Sequence, residues 1–153
     1  FMGGVPAPLP LREERQFSFD PDEFKRLVGP RTKLIILNSP GNPTGSVYTA
    51  DELTALAEVA LEEEILMLSD EIYEKIIYDD ARHISIASLP GMRERTIVVN
   101  GFSKTYSMTG WRLGYLAAPR ELVAAMMRAR TASRFPSASA PTVYFRIIGW
   151  RLG

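Results

Sequence analysis

The stretch TIVVNGFSKTYSMTGWRLGY, residues 96–115, contains an apolar run and, shortly after it, a lysine in a polar segment. The run Thr96–Val99 shows no polar–apolar alternation, which is typical of a strand buried on both faces of a parallel sheet. Lys104 comes just past this predicted strand. A lysine ammonium gives up its proton readily when it is desolvated, and such lysines form Schiff bases. The position of Lys104 therefore indicates chemistry rather than a role in solubility.

Two further apolar runs precede this stretch. They are Leu34–Leu37 and Ile65–Leu68, and the three runs start 31 residues apart. That spacing is close to the length of a strand–crossover–strand unit. Thr49 and Glu52 form a capping-box pattern ahead of an apolar helical face, which predicts a helix between the first two runs.

The chain after Lys104 completes the predicted sheet. A fourth strand, from about Arg112 to Ala117, follows the lysine too closely for a crossover, so we expect it to be antiparallel. Pro119 then begins a helix that runs to about Arg130. We predict an α/β fold with a mostly parallel sheet, flanking helices and one antiparallel strand after the lysine.

Polar side chains follow each predicted strand, at the sheet edge where open parallel sheets bind ligands. They comprise an amide, a carboxylate, a phenol, a hydroxyl, an amine and a guanidinium: Asn42, Asp70, Tyr73, Ser103, Lys104 and Arg112. Pyridoxal 5'-phosphate (PLP) requires such a set, because an amine forms the imine and a carboxylate keeps the pyridine nitrogen protonated. An amide and a phenol can hydrogen-bond the phenolic oxygen of PLP, and a guanidinium and a hydroxyl can bind its phosphate.

We therefore predict a role in PLP binding for each of these six side chains. Lys104 is the predicted Schiff-base residue, and Asp70 is the predicted partner of the pyridine nitrogen. Tyr73 and Asn42 are assigned to the phenolic oxygen. The remaining two residues, Ser103 and Arg112, are assigned to the phosphate.

Three segments resemble the class I and II aminotransferases of PLP fold type I. They are Ser39–Gly45 (SPGNPTG), Asp70–Tyr73 (DEIY) and Ser103–Gly114 (SKTYSMTGWRLG), in the order in which the family has them. The resemblance extends over about residues 3–130. Because members of the family are much longer, it implies a partial PLP-binding large domain at residues 1–130, followed by a divergent tail at residues 131–153.

The resemblance also implies an activity. Lys104 would carry PLP and move a proton between the substrate Cα and C4′ of the cofactor, with Asp70 and Tyr73 as further catalytic residues. The substrates would be an amino acid and a 2-oxo acid, of the aspartate or aromatic type. The full-length enzyme would be a homodimer.

Composition excludes several other classes of function. The 153 residues fit one domain, and 18 basic and 18 acidic residues cancel, which argues against binding of nucleic acid through bulk charge. Without cysteine, disulfides, thiolate metal sites and a cysteine nucleophile are excluded, and we predict no metal. No apolar stretch reaches membrane-spanning length and no signal-peptide pattern is present, so we expect a cytoplasmic protein without membrane partners.

Other interpretations remain open at this point. A carbon–sulfur β-lyase or an amino-cyclopropane-carboxylate-type synthase of the same fold would share the cofactor residues. An aminotransferase-like regulatory domain that binds PLP without turnover would also share them. The chain by itself is expected to show weak or no turnover. His83, the single histidine, is interpreted as a loop or packing residue. Tyr106 and Trp111 are interpreted as core or interface residues.

Overall fold

A computed structural model describes residues 3–132 and 144–150, with side chains described to residue 129. Within these ranges the α-helices and strands follow one another along the chain as α1 (Pro21–Leu27), β1 (Leu34–Asn38), α2 (Ala50–Glu62), β2 (Leu66–Asp70), β3 (Thr96–Gly101), β4 (Leu113–Pro119), α3 (Arg120–Ala132) and β5 (Tyr144–Trp150). Short 3-10 helices lie at Glu13–Arg15, Ile86–Ser88 and Thr109–Trp111. No helix in the described ranges is both long enough and apolar enough to cross a membrane.

The strands form one sheet in the order β1-β2-β3-β4-β5. The pairs β1–β2 and β2–β3 are parallel, and β3–β4 is antiparallel. The predicted α/β fold, with three parallel strands and an antiparallel fourth, is therefore confirmed. Strand β5 pairs parallel to β4 and lies within residues 131–153, where the sequence pattern predicted no element.

The register of the sheet decides which chain segments meet at the edge where the candidate site residues were predicted. Asn38 at the end of β1 pairs with Asp70 at the end of β2. Gly101 at the end of β3 pairs with Gly114 near the start of β4. Because β4 runs antiparallel to β1, β2 and β3, its amino end lies at the same edge as their carboxyl ends. The segments that follow β1, β2 and β3 and the residue that precedes β4 thus emerge at one edge.

Helix α2 covers one face of the sheet. Its first turn is closed by the predicted capping box, in which the Glu52 N–H donates to Thr49 Oγ1 (3.3 Å) and the Thr49 N–H donates to Glu52 Oε2 (2.7 Å). Leu53 and Leu56 are almost completely buried, and each burial stabilises the fold by about 1.5–3 kcal/mol. They belong to the main hydrophobic cluster, together with residues of the two strands beneath them, such as Leu37 and Met67.

The connection from β2 to β3, residues 71–95, contains turns and the 3-10 helix Ile86–Ser88 but no α-helix. Its anchors are Ile86 and Met92, which are completely buried in the same hydrophobic cluster. After β4, helix α3 begins at Arg120, one residue later than predicted, because Pro119 is the last residue of the strand.

Candidate functional site

Asn38 links two of the motifs at the sheet edge. Its Nδ2 donates to the backbone oxygen of Asp70 (3.2 Å), and its Oδ1 accepts the backbone N–H of Asn42 (3.0 Å). One side chain therefore fixes the loop after β1 relative to the end of β2. The sequence pattern did not identify Asn38, although it is the first polar residue after a buried run.

Asn42 and Tyr73, predicted to bind the same oxygen of the cofactor, are brought together. The Asn42 Nδ2 lies 3.4 Å from the Tyr73 hydroxyl oxygen and donates to it. A phenol can accept one hydrogen bond while donating another. The Tyr73 proton is thus available for a further acceptor, as the predicted role requires.

Lys104 lies next to the same tyrosine. Its Nζ is 5.4 Å from the centroid of the Tyr73 ring, within the range of a cation–π contact. Lys104 is exposed in the described part of the chain. The described residues by themselves therefore do not provide the desolvation that was expected to favour loss of the Lys104 proton. What the fold provides is proximity between the amine and the phenol.

Asp70 is half-buried at the end of β2. Its Oδ1 accepts the backbone N–H of Ile72 (3.2 Å), which orients the carboxylate. No residue in the described ranges hydrogen-bonds its Oδ2. That oxygen is therefore available for a donor such as a protonated ring nitrogen.

Ser103 and Arg112, the two predicted phosphate ligands, are joined through Thr109. The Thr109 hydroxyl donates to the backbone oxygen of Ser103 (3.1 Å), and Arg112 Nη1 donates to the backbone oxygen of Thr109 (3.4 Å). Arg112 has a φ of +52°, a left-handed conformation that costs a non-glycine residue about 1 kcal/mol or more. The exposed guanidinium thus extends from a tight turn between the 3-10 helix and β4, and Thr109 is a second positioning residue that the pattern missed.

Two interpretations of aromatic residues are resolved by exposure. Tyr106 and Trp111 are 62% and 68% exposed, so the interpretation as core residues is wrong and that as interface residues stays a prediction.

Tyr115 on β4 packs edge-to-face against Phe102, with ring centroids 5.8 Å apart. Burial raises the pKa of Tyr115, and the nearby Glu74 carboxylate raises it further.

His83 is not only a packing residue, because it makes a specific polar contact with a buried carboxylate. Its side chain is 11% exposed, and its Nε2 lies 3.0 Å from Oε2 of the buried Glu71. The sequence pattern offered no signal for this pair, because the two residues are twelve positions apart in an irregular connection.

Comparison with known proteins identifies the family. The sequence profile of the family described as Aminotransferase class I and II matches residues 1–147. An aspartate aminotransferase from Pyrococcus abyssi is 52% identical over 126 residues, which is 82% of this chain and 32% of that protein. Aromatic-amino-acid aminotransferase 2 from Thermococcus litoralis is 51% identical over 126 residues, with the same shares of 82% and 32%.

Solved structures agree with the sequence relatives. The crystal structure of an aromatic aminotransferase from Pyrococcus horikoshii OT3 matches with a TM-score of 0.81 and 51% identity, over 84% of this chain and 35% of that one. An N-succinyldiaminopimelate aminotransferase from Mycobacterium tuberculosis matches with a TM-score of 0.73 and 43% identity, over 75% of this chain and 30% of that one.

The extent of these matches bears on the organisation of the chain. The chain spans about a third of the length of the curated relatives that it matches. The profile match continues to residue 147, past the boundary predicted between residues 130 and 131, and that boundary stays a prediction. Because that match takes in nearly the whole sequence, the chain belongs to the class I and II aminotransferases.

Proposed function

We propose that this chain is the cofactor-holding part of a PLP-dependent aminotransferase, which moves an amino group between an amino acid and a 2-oxo acid. The observation that carries the proposal is the grouping of Lys104, Tyr73 and Asn42 at one sheet edge, with the Lys104 amine over the Tyr73 ring and the Asn42 amide on its hydroxyl. In PLP the aldehyde and the phenolic hydroxyl occupy neighbouring ring carbons. An amine and a phenol that lie side by side therefore fit that pair of groups.

The other residues fit the rest of the cofactor by their chemistry. Asp70 has a carboxylate oxygen available to hold a proton on the pyridine nitrogen. Arg112 and Ser103 lie in the segment between β3 and β4, where Thr109 links them, and their side chains are the types that bind phosphate. When bound, PLP supplies an electron sink for the negative charge that develops at the substrate Cα.

The chain's own residues would do the following work. The Lys104 amine would hold the cofactor, and it would move a proton between the substrate Cα and C4′ of the cofactor. Tyr73 would donate a hydrogen bond from its hydroxyl to the phenolic oxygen, while the Asn42 amide would hold that hydroxyl in place. Asp70 keeps the ring nitrogen cationic, which is the condition for withdrawing electrons from Cα.

The substrate class is inferred from the relatives. Aspartate and aromatic aminotransferases are about equally similar to this chain, so we infer an acidic or aromatic amino acid as the donor. We further infer that the enzyme acts as a homodimer in the cytoplasm. These inferences rest on family membership and not on a contact in the described residues.

The first test is chemical labelling of the protein expressed from the full open reading frame that contains residues 1–153. It is loaded with PLP, reduced with borohydride and mapped by peptide mass spectrometry. We expect one phosphopyridoxyl label, on Lys104, that is lost in Lys104→Ala and kept in Lys25→Ala, an exposed lysine on α1. A label on another lysine, or no label, would refute the assignment.

A second measurement separates transamination from the other reactions of this fold. The PLP-loaded protein is mixed with glutamate, without a 2-oxo acid, and the visible spectrum is followed. We expect conversion of the bound cofactor to pyridoxamine phosphate. A protein that is labelled at Lys104 but does not convert would instead belong with the lyases, synthases or regulators of the fold.

A further inference from the structure

Glu71 lies between two proposed catalytic residues, Asp70 and Tyr73, and is 3% exposed. A buried carboxylate is unfavourable unless hydrogen bonds replace its hydration. Glu71 accepts from Ser69 Oγ (2.9 Å) and from Ser85 Oγ (2.7 Å), both on Oε1. Its other oxygen, Oε2, pairs with His83 Nε2 at 3.0 Å. The carboxylate therefore has three partners, although the proposed reaction assigns it no role.

These partners come from two different parts of the chain. Ser69 lies in β2, whereas His83 and Ser85 lie in the connection that returns from β2 to β3. The Glu71 backbone is also held, because its N–H donates to the Val99 oxygen of β3 (2.9 Å). Glu71 thus fastens the start and the middle of the β2–β3 connection to the sheet. Its two catalytic neighbours lie at the base of that loop.

A metal site is the competing interpretation. The ligand atoms of Glu71, Glu74 and His83 all lie within 4.8 Å of one another. Both oxygens of Glu71 are already engaged, however, and an ion would have to displace the His83 contact in order to bind. With the proton on His83 Nε2, the imidazole donates to the carboxylate, so the network is satisfied at Glu71 without an ion.

We propose that Glu71, held by Ser69, His83 and Ser85, is a positioning residue that sets Asp70 and Tyr73 against the cofactor. This inference rests on the proposed function. The physical reason is that Asp70 directly precedes Glu71 and Tyr73 follows it two positions later, so a shift of the Glu71 backbone would displace both residues. A catalytic group displaced by about 1 Å can lower a rate on the order of a hundredfold.

The test compares Glu71→Ala, Glu71→Gln and the wild type in the PLP-loaded protein from the full open reading frame. The readouts are kcat, KM, and the pH midpoint of the visible band of bound PLP, which depends on the hydrogen bonds to the phenolic oxygen. For Glu71→Ala we expect kcat to fall about tenfold to a hundredfold and the midpoint to shift. Glu71→Gln should recover most of both, because its amide oxygen accepts from the serines and its NH₂ donates to the other tautomer of His83.

Two matched variants separate positioning from general stability. Thr96→Val removes a buried hydrogen bond, from Thr96 Oγ1 to the Met92 oxygen (2.7 Å), at the opposite end of β3 from Lys104. It should lower stability without moving the visible band. Ser85→Ala removes one donor from Glu71 and should give a smaller shift in the same direction as Glu71→Ala, which keeps the test informative if Glu71→Ala does not fold.

Each contrary outcome has a distinct meaning. Glu71 and Ser85 variants with wild-type kcat and an unmoved band would overturn the positioning role alone. A shift of equal size in Thr96→Val would overturn it too, since stability would then explain the effect. If a chelator shifts the pH midpoint of the visible band in the wild type, a metal site would replace the positioning role as the explanation. A wild type that takes up no PLP would overturn the proposed function, and this inference with it.

Discussion

Gly101 is the position where a single added methyl group should do most damage to the site. It is the last residue of β3, three positions before Lys104, and it faces the start of β4. A Cβ built on Gly101 would lie 3.0 Å from the Leu113 oxygen, 3.2 Å from Ile72 Cδ1 and 3.3 Å from the Gly114 Cα. Two of these three contacts are backbone atoms, which cannot rotate away as a side chain can.

The size of the effect of Gly101→Ala follows from these contacts. Ordinary contacts begin near 3.4 Å, so the two strands must separate by several tenths of an ångström. Overpacking of this kind costs about 1–3 kcal/mol. The Leu113 oxygen also accepts the Phe102 N–H at 3.4 Å, and a bond that long would break when the strands separate. We therefore expect a loss of about 1–3 kcal/mol in the free energy of unfolding, with weaker retention of PLP.

The assay is urea unfolding of Gly101→Ala beside Gly110→Ala, followed by circular dichroism with and without PLP. Gly110 is the matched control, because it lies nearby in the 3-10 helix between Lys104 and Arg112 and a Cβ there would meet nothing within 4 Å. Gly110→Ala should change the free energy of unfolding by no more than about 0.5 kcal/mol. Equal effects of the two substitutions would refute the steric reasoning.

Three further predictions concern the cofactor and the core. Asp70→Ala should leave some PLP bound but largely abolish transamination, because the pyridine nitrogen loses its partner; near-normal turnover in a steady-state assay would count against that role. Leu53→Ala, at a 1% exposed position, should lower the free energy of unfolding by about 2–5 kcal/mol, measured by urea unfolding, and a loss below 1 kcal/mol would contradict its place in the core. Burial alone would raise the pKa of Glu52, but hydrogen bonds from Ser18 and Thr49 lower it below the ordinary 4.5. The stabilisation that ionised Glu52 gives the folded state is therefore complete above about pH 4.5. It is lost as the pH falls through the lower pKa that Glu52 has in the folded protein. Glu52→Gln should then destabilise the protein at neutral pH and much less in acid, and a penalty independent of pH would contradict this.

Several parts of the fold could be predicted because they depend on short stretches of chain. The continuous apolarity of Leu34–Leu37 and Thr96–Val99 indicated parallel strands, and the Thr49–Glu52 pattern indicated the start of α2. The antiparallel direction of β4 followed from the short distance between Lys104 and Arg112. Strand β5 was not predicted, since Arg146 and Gly149 interrupt the apolar residues of Tyr144–Trp150 and leave no clear period.

The features of the candidate site also divide into those that the sequence predicted and those that it did not. The side chains that are proposed to carry the chemistry were identified from the sequence alone, because each follows a predicted strand or lies in a family motif. What holds them was decided only by the tertiary structure. Asn38 reaches Asp70 across 32 positions, and Glu71 reaches His83 and Ser85 across a loop without regular structure. These hydrogen bonds depend on strand register and on loop packing, and no local pattern of residue types encodes either.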